Sequence, residues 1–274
     1  MQYGNAAWGF RETPIEEQFK MTAGMGLSIL EIGIANAPND IPLNVTADRL
    51  DEIRRLSEKY KIKILAGATG NDFTIGRNDI SKVKRVIDIC RELEIQYLRI
   101  FAGFTALEDV SEEVFNNMIK LLTEVCEYAG KAGVTPAIET HGGVNEFDDG
   151  VQHFMSTTTD LETLKKILRA LPDNAKLCYD PANLYAVGIK NPEHFYNEIK
   201  SKVAYAHFKD FASLPSGHLK PSYCGDSDMD WGAILNAMKG VEGFALFEYE
   251  NTDDIEEGLV KSYNYIIERN IENE

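Results

Sequence analysis

Short apolar runs alternate with amphipathic helical segments along the whole chain of 274 residues. Eight such runs end in glycine or polar residues, and a helical pattern follows each of them. Parallel pairing is expected, because strands joined by a helix have the long crossover connection that parallel strands require. Eight units predict an α/β fold, a closed (β/α)8 TIM barrel in one domain, residues 1–274. An open doubly wound sheet is the alternative, but no GxGxxG or GxxxxGK[ST] motif follows a predicted strand.

The first strand is predicted at Tyr3–Phe10, and the first helix after it, with Thr13 as N-cap and Pro14 in the first turn. A long polar loop, 142–157, is expected above the barrel mouth. Further helices are predicted at about 46–60, 79–94, 111–132, 160–170, 192–200, 230–238 and 253–269.

The charge balance limits the classes of partner. The chain has 28 Lys and Arg against 44 Asp and Glu, a formal charge of -16. This charge repels phosphate backbones and anionic membranes, so we expect neither nucleic-acid nor membrane binding. No stretch resembles a signal peptide or a membrane span, and the widely spaced cysteines indicate reduced thiols and a cytoplasmic location. A homo-oligomer is compatible with this composition.

Four consecutive predicted strands each end in a good metal ligand: Glu139, Asp180, His207 and Glu248, at spacings of 41, 27 and 41 residues. Active sites of (β/α)8 barrels lie at these C-terminal strand ends. A single acid there is often a helix cap or a solvated group, but capping does not predict four ligands on four strands. Three carboxylates close together repel one another, and a divalent cation removes that repulsion. We therefore expect a divalent metal site.

Substrate contacts are expected around these ligands. His141, Lys209 and Glu250 each lie two residues beyond a proposed ligand, on the same face of the strand. Trp8 and Glu31 close the first two strands at the same mouth and suit a sugar, as an aromatic wall and a hydroxyl acceptor. The alternatives are a backbone-bonded histidine, a salt-bridged lysine, a packed tryptophan, and paired or solvated acids.

The chain resembles the xylose isomerase-like barrel superfamily of sugar isomerases and epimerases, which also includes apurinic-site endonucleases. The similarity covers nearly the whole chain, and the order and spacing of the motifs carry most of it. Those motifs are Ala137–Gly142, Tyr179–Leu184, Ala206–Asp210, Gly225–Trp231 and Phe247–Glu250.

The resemblance implies a metal held by Glu139, Asp180, His207 and Glu248. It also implies that Glu139 and Glu248 form the acid–base pair of a ketose 3-epimerase, moving protons on opposite faces of an enediolate. Two positions depart from the ketohexose epimerases: Asn183 replaces a histidine and Ser213 an arginine. Asn183 remains a candidate substrate contact, but a standard ketohexose is not expected.

The favoured function is a metal-dependent sugar isomerase or epimerase acting on a small keto sugar or polyol. Mn²⁺ is the favoured cofactor, with Mg²⁺, Co²⁺ or Zn²⁺ as alternatives. A dehydratase or lyase on a keto-cyclitol or keto-glycoside would use the same enolisation. An apurinic-site endonuclease is disfavoured by the charge, and a non-catalytic sugar-binding barrel is the last alternative.

Overall fold

The computed structural model describes residues 1–75, 80–240 and 243–272. Within these ranges the chain forms twelve strands and nine α-helices. The strands are β1 (Gln2–Asn5), β2 (Ile29–Gly33), β3 (Lys63–Ala68), β4 (Tyr97–Ile100), β5 (Thr135–Glu139), β6 (Gly143–Phe147), β7 (Gly150–Phe154), β8 (Lys176–Tyr179), β9 (Val203–Phe208), β10 (Asp210–Ser213), β11 (Leu219–Ser222) and β12 (Phe244–Phe247). The helices are α1 (Ile15–Gly24), α2 (Ala47–Tyr60), α3 (Ile80–Glu92), α4 (Glu112–Ala132), α5 (Leu161–Ala170), α6 (Pro181–Ala186), α7 (Pro192–Ile199), α8 (Trp231–Ala237) and α9 (Ile255–Glu272).

Eight strands close into a parallel barrel in the order β1-β12-β9-β8-β5-β4-β3-β2, with β2 pairing back onto β1. The predicted (β/α)8 barrel is therefore confirmed. The larger apolar core lies between the strands and the surrounding helices. A smaller cluster of mostly small or aromatic residues, including Ala66, Ala137 and Tyr205, fills part of the interior. A packed interior confines the polar chemistry to the strand ends.

The segment 142–157 is not the irregular loop that the sequence suggested. It forms the hairpin β6–β7, which joins β10 and β11 in a four-stranded antiparallel sheet, here called the lid sheet. Asp149-Gly150 is a common turn dipeptide, but each flanking strand has two polar residues side by side between Val and Phe, so the strict alternation that marks a half-buried strand is missing.

Two other local predictions were wrong, and one helix was not predicted. The first strand ends at Asn5, and Trp8–Phe10 is a 3-10 helix, because the Ala7 amide donates to Glu31 Oε1 instead of continuing the barrel ladder. The N-cap of α1 is Pro14, not Thr13, whose carbonyl instead accepts from Gln18. Helix α6 was missed, although Asp180 as N-cap followed directly by proline is a helix-start pattern. Asp79, the predicted start of the third helix, lies outside the described residues.

All four cysteines are free and buried. Burial raises the pKa of Cys126 and of Cys178 to about 12, so these thiols are uncharged at neutral pH. Over the described ranges, no helix combines the length and the apolar character needed to cross a membrane.

We predict that Gly4→Ala destabilises the protein by about 1–3 kcal/mol. Gly4 pairs with Ile29 across β1 and β2, and an added Cβ would lie 2.3 Å from the Ile29 carbonyl oxygen, a backbone atom with little freedom to move. Gly24→Ala is the control, because a Cβ there has no neighbour within 4 Å, and at this last residue of α1 a change within about 0.5 kcal/mol is expected. Chemical denaturation measures both, and equal unfolding midpoints would contradict the prediction.

Candidate metal centre

The structure brings together the four residues that the strand ends predicted as metal ligands. Glu139 ends β5, Asp180 follows β8, His207 lies in β9 and Glu248 follows β12. One ligand atom from each lies within 4.8 Å of the ligand atoms of the others. At most 2% of any of the four is exposed, so the cluster is shielded from water. This separation suits one shared cation.

His207 is oriented by Glu31, a buried carboxylate outside the ligand cluster. Its Nε2 lies 3.2 Å from Glu31 Oε2, which also accepts a hydrogen bond of 2.9 Å from the Tyr205 hydroxyl. The other ring nitrogen, Nδ1, faces the cluster, 3.3 Å from Glu248 Oε1 and 3.8 Å from Glu139 Oε1. Glu31 therefore favours a proton on Nε2 and leaves Nδ1 as the coordinating atom.

Positive groups offset part of the buried negative charge. Arg99 Nε lies 3.2 Å from Glu139 Oε2. Lys209 Nζ lies 2.8 Å from Glu248 Oε2, 3.3 Å from Asp180 Oδ2 and 2.7 Å from Glu250 Oε1. One cation thus holds Glu139, whereas one lysine is shared by three carboxylates.

The pKa values of Glu139 and Asp180 reflect this uneven distribution of positive charge. Burial raises the pKa of Glu139, but His207 and Arg99 outweigh it and hold that pKa at about 2. For Asp180, burial dominates over the opposing effect of Lys209, and the pKa rises to about 7. The cationic side chains of the protein therefore neutralise less of the negative charge at Asp180 than at Glu139.

A divalent cation fits the donor set. Three carboxylates and one imidazole are oxygen-rich ligands of the kind that Mn²⁺, Mg²⁺ and related ions accept. Within the part of the chain that the structure describes, Asp180 Oδ2 and His207 Nδ1 are buried and make no hydrogen bond, although Lys209 Nζ and Glu248 Oε1 each lie 3.3 Å from one of them. Buried polar atoms nearly always make a hydrogen bond, so two such atoms in one ligand cluster indicate a place for an ion.

A cavity of about 610 Å³ opens above the cluster. Glu139 and Glu248 lie on its wall, together with four of the predicted substrate contacts, Trp8, His141, Lys209 and Glu250. The barrel mouth is thus a pocket of the size that encloses small-molecule ligands.

Two predicted substrate contacts, Glu31 and Asn183, do not line the cavity. Glu31 is fully buried behind His207, and both of its oxygens accept hydrogen bonds from the protein. Asn183 is also fully buried, and its side-chain amide donates to Glu139 Oε1 over 3.0 Å. Both residues therefore contact a proposed ligand, His207 or Glu139, from behind the cavity wall.

Sequence reasoning missed Arg99, which is 2% exposed and also lines the cavity. The sequence did contain a sign of this role, because Arg99 is a charged residue inside the apolar run of β4. Side chains alternate between the two faces of a strand, and this alternation places Arg99 on the face directed into the barrel. It also missed the wall residues of the lid sheet, because the hairpin itself was not predicted.

Comparison with known proteins agrees with this architecture. An inosose isomerase of Bacillus velezensis is 27% identical over 169 residues, which are 60% of this chain and 56% of that protein. A fructoselysine 3-epimerase of Shigella flexneri is 24% identical over 149 residues, which are 51% of this chain and 54% of that protein. The matches therefore span little more than half the length of these curated relatives.

The solved structure of the IOLI protein with a bound zinc atom matches with a TM-score of 0.79 and 19% identity, covering 100% of this chain and 99% of the other. This likeness shows a shared fold. A family model described as a xylose isomerase-like TIM barrel matches residues 19–269. Because that match covers most of the chain, the protein belongs to the family of xylose isomerase-like TIM barrels.

Proposed function

We propose that the protein is a divalent-metal-dependent sugar isomerase or epimerase that acts on a keto sugar or polyol. The names of its relatives, inosose isomerase and fructoselysine 3-epimerase, support this reaction class. The observation that carries the proposal is the pair of buried glutamates, Glu139 and Glu248, on the wall of a cavity directly above the ligand cluster.

The two glutamates are suited to proton transfer on two sides of one substrate. They come from β5 and β12, which flank β8 and β9 in the barrel, and both carboxylates approach His207 Nδ1. One carboxylate removes the proton beside the carbonyl and later releases it to solvent, and the other takes up a proton from solvent and delivers it from the opposite side. Return to the same carbon gives an epimer, and return to its neighbour gives an isomer.

The surrounding residues keep this pair charged and in place. Burial raises the pKa of Glu248, but Lys209 and His207 outweigh it and hold that pKa well below its usual range. Arg99 and Asn183 fix the Glu139 carboxylate from two directions. A divalent cation, when bound, supplies Lewis-acid polarisation of a substrate carbonyl. We propose Mn²⁺ as that ion, because carboxylate ligands outnumber imidazole three to one.

We predict that metal-loaded protein exchanges one carbon-bound proton of its substrate for deuterium. Proton NMR in D₂O would follow a panel of ketoses, inososes, keto-glycosides and fructoselysine. Chelator-stripped protein would be compared with the same sample reloaded with Mn²⁺ and freed of excess ion. Exchange is expected only after reloading, because the proton beside a carbonyl is acidic enough only when that carbonyl is polarised.

The products separate the alternatives. An epimer or a shifted carbonyl supports the proposal, whereas loss of water or of an aglycone would identify a dehydratase or lyase. If reloaded protein exchanges no proton across the panel, the proposed reaction is contradicted.

Asp180→Asn is expected to weaken Mn²⁺ binding at least about 100-fold, because it removes a charged ligand. Asparagine is also a good N-cap, so α6 should persist, since Asp180 Oδ1 accepts from the Asn183 amide. Asp160→Asn is the matched control, an N-cap aspartate of α5 that accepts from the Thr163 amide outside the ligand cluster. Calorimetric titration measures both variants, and unchanged affinity in Asp180→Asn would remove the proposed site.

Glu31→Gln is expected to lower Mn²⁺ affinity by about 10–100-fold without removing a ligand. The amide NH₂ of glutamine can face the Nε2 of His207 and move the imidazole proton to Nδ1, the atom that faces the cluster. Tyr205→Phe is the control, because it removes another donor to the same carboxylate and leaves His207 in place. Equal affinities in the two variants would show that Glu31 does not set the tautomer.

A further inference from the structure

The lid sheet presents one defined face to the cavity. In the antiparallel hairpin, Val144 pairs with His153 and Glu146 with Val151. Side chains of directly opposed residues share a face, and all four of these residues line the cavity. Gln152, between two of them, is exposed on the other face. The sheet therefore forms part of the binding wall.

Five rings continue this wall from the barrel loops onto the lid sheet. The ring centroids follow one another at 4.7 Å, 5.3 Å, 6.4 Å and 4.8 Å. All five line the cavity. This aromatic arc consists of Phe101, Phe104, His141, His153 and Phe211.

His153 has unused hydrogen-bonding capacity within the arc. Both of its ring nitrogens are buried, and neither has a hydrogen-bond partner among the residues described. Burial, with a smaller contribution from His141, lowers the pKa of His153 to about 3, so the ring is neutral and has one donor and one acceptor. An unpaired buried donor is costly, and a polar atom of a ligand would remove that cost.

The arc itself offers few hydrogen-bond partners for the hydroxyls of a free sugar. Glu139, Glu248 and Lys209 lie at the ligand cluster, whereas the rings of the arc are accompanied on the hairpin face by Val144 and Val151, with Glu146 as a charged neighbour. Sugar hydroxyls placed there would lose hydrogen bonds to water with few replacements. Aromatic rings, in contrast, pack favourably on other rings at centroid separations of about 4.5–7 Å.

We propose that the aromatic arc is a subsite for an aryl group, so that the substrate is a keto sugar linked through oxygen to a phenolic ring. This inference rests on the proposed function, since it assigns the sugar half to the glutamate pair. The aryl half packs against Phe104 and Phe211, and His153 offers its unpaired nitrogen to an oxygen of the aglycone.

Binding of phenyl β-D-glucopyranoside and methyl β-D-glucopyranoside to the Mn²⁺-loaded protein tests the subsite. Neither compound has a carbonyl, so the measurement is independent of catalysis. Titration followed by saturation-transfer NMR should show at least about tenfold tighter binding of the phenyl compound, or about 1.4 kcal/mol. In Phe104→Leu, at a half-buried position, this ratio should fall towards one. Gln152→Ala, on the outer face of the lid sheet, should retain it.

Three results would overturn the subsite: equal affinities for the two glycosides, a preference that persists in Phe104→Leu, or no detectable binding of the phenyl compound at millimolar concentration. Proton exchange on the panel of keto sugars and keto-glycosides, measured in the same samples, tests the proposed function separately. If protons exchange but the phenyl glycoside is not preferred, the proposed function stands and the aryl subsite is rejected. If the phenyl glycoside is preferred but no proton exchanges, the subsite stands and the proposed function is rejected.

Discussion

Three carboxylates buried within a few ångströms of one another are the constraint on which the site depends. Their mutual repulsion is strong where water is excluded, so each needs a positive partner. Arg99 holds Glu139, and Lys209 is divided among Asp180, Glu248 and Glu250. The protein's own cations leave Asp180 undercompensated, and this deficit supports a divalent ion.

The same arrangement gives the two glutamates of the proposed reaction different surroundings. Glu139 faces a guanidinium, which stays charged at all relevant pH values, and an amide from Asn183. Glu248 faces a lysine that it shares with two other acids. The glutamate pair is therefore asymmetric in its environment.

The barrel and the lid sheet contribute different things. The strand ends hold the ligand cluster rigidly, because each ligand lies within or directly beside a buried strand. The lid sheet supplies much of the outer cavity wall through the inward face of its hairpin. Substrate choice can thus change with the lid while the barrel chemistry stays fixed, as is usual where loops on a barrel carry specificity.

The sequence by itself determined the barrel and the four candidate ligands. Apolar periodicity marks strands and helices, and parallel strands in a barrel bring their C-terminal ends to one side, so residues 41, 27 and 41 positions apart were expected to meet. The lid hairpin was hidden because its strands are short and do not alternate strictly between apolar and polar residues. Only the tertiary structure placed Arg99 against Glu139 and moved Glu31 and Asn183 behind the cavity wall. Periodicity gives the face on which a side chain lies, whereas its partner depends on which strands close next to one another and how deeply each is buried.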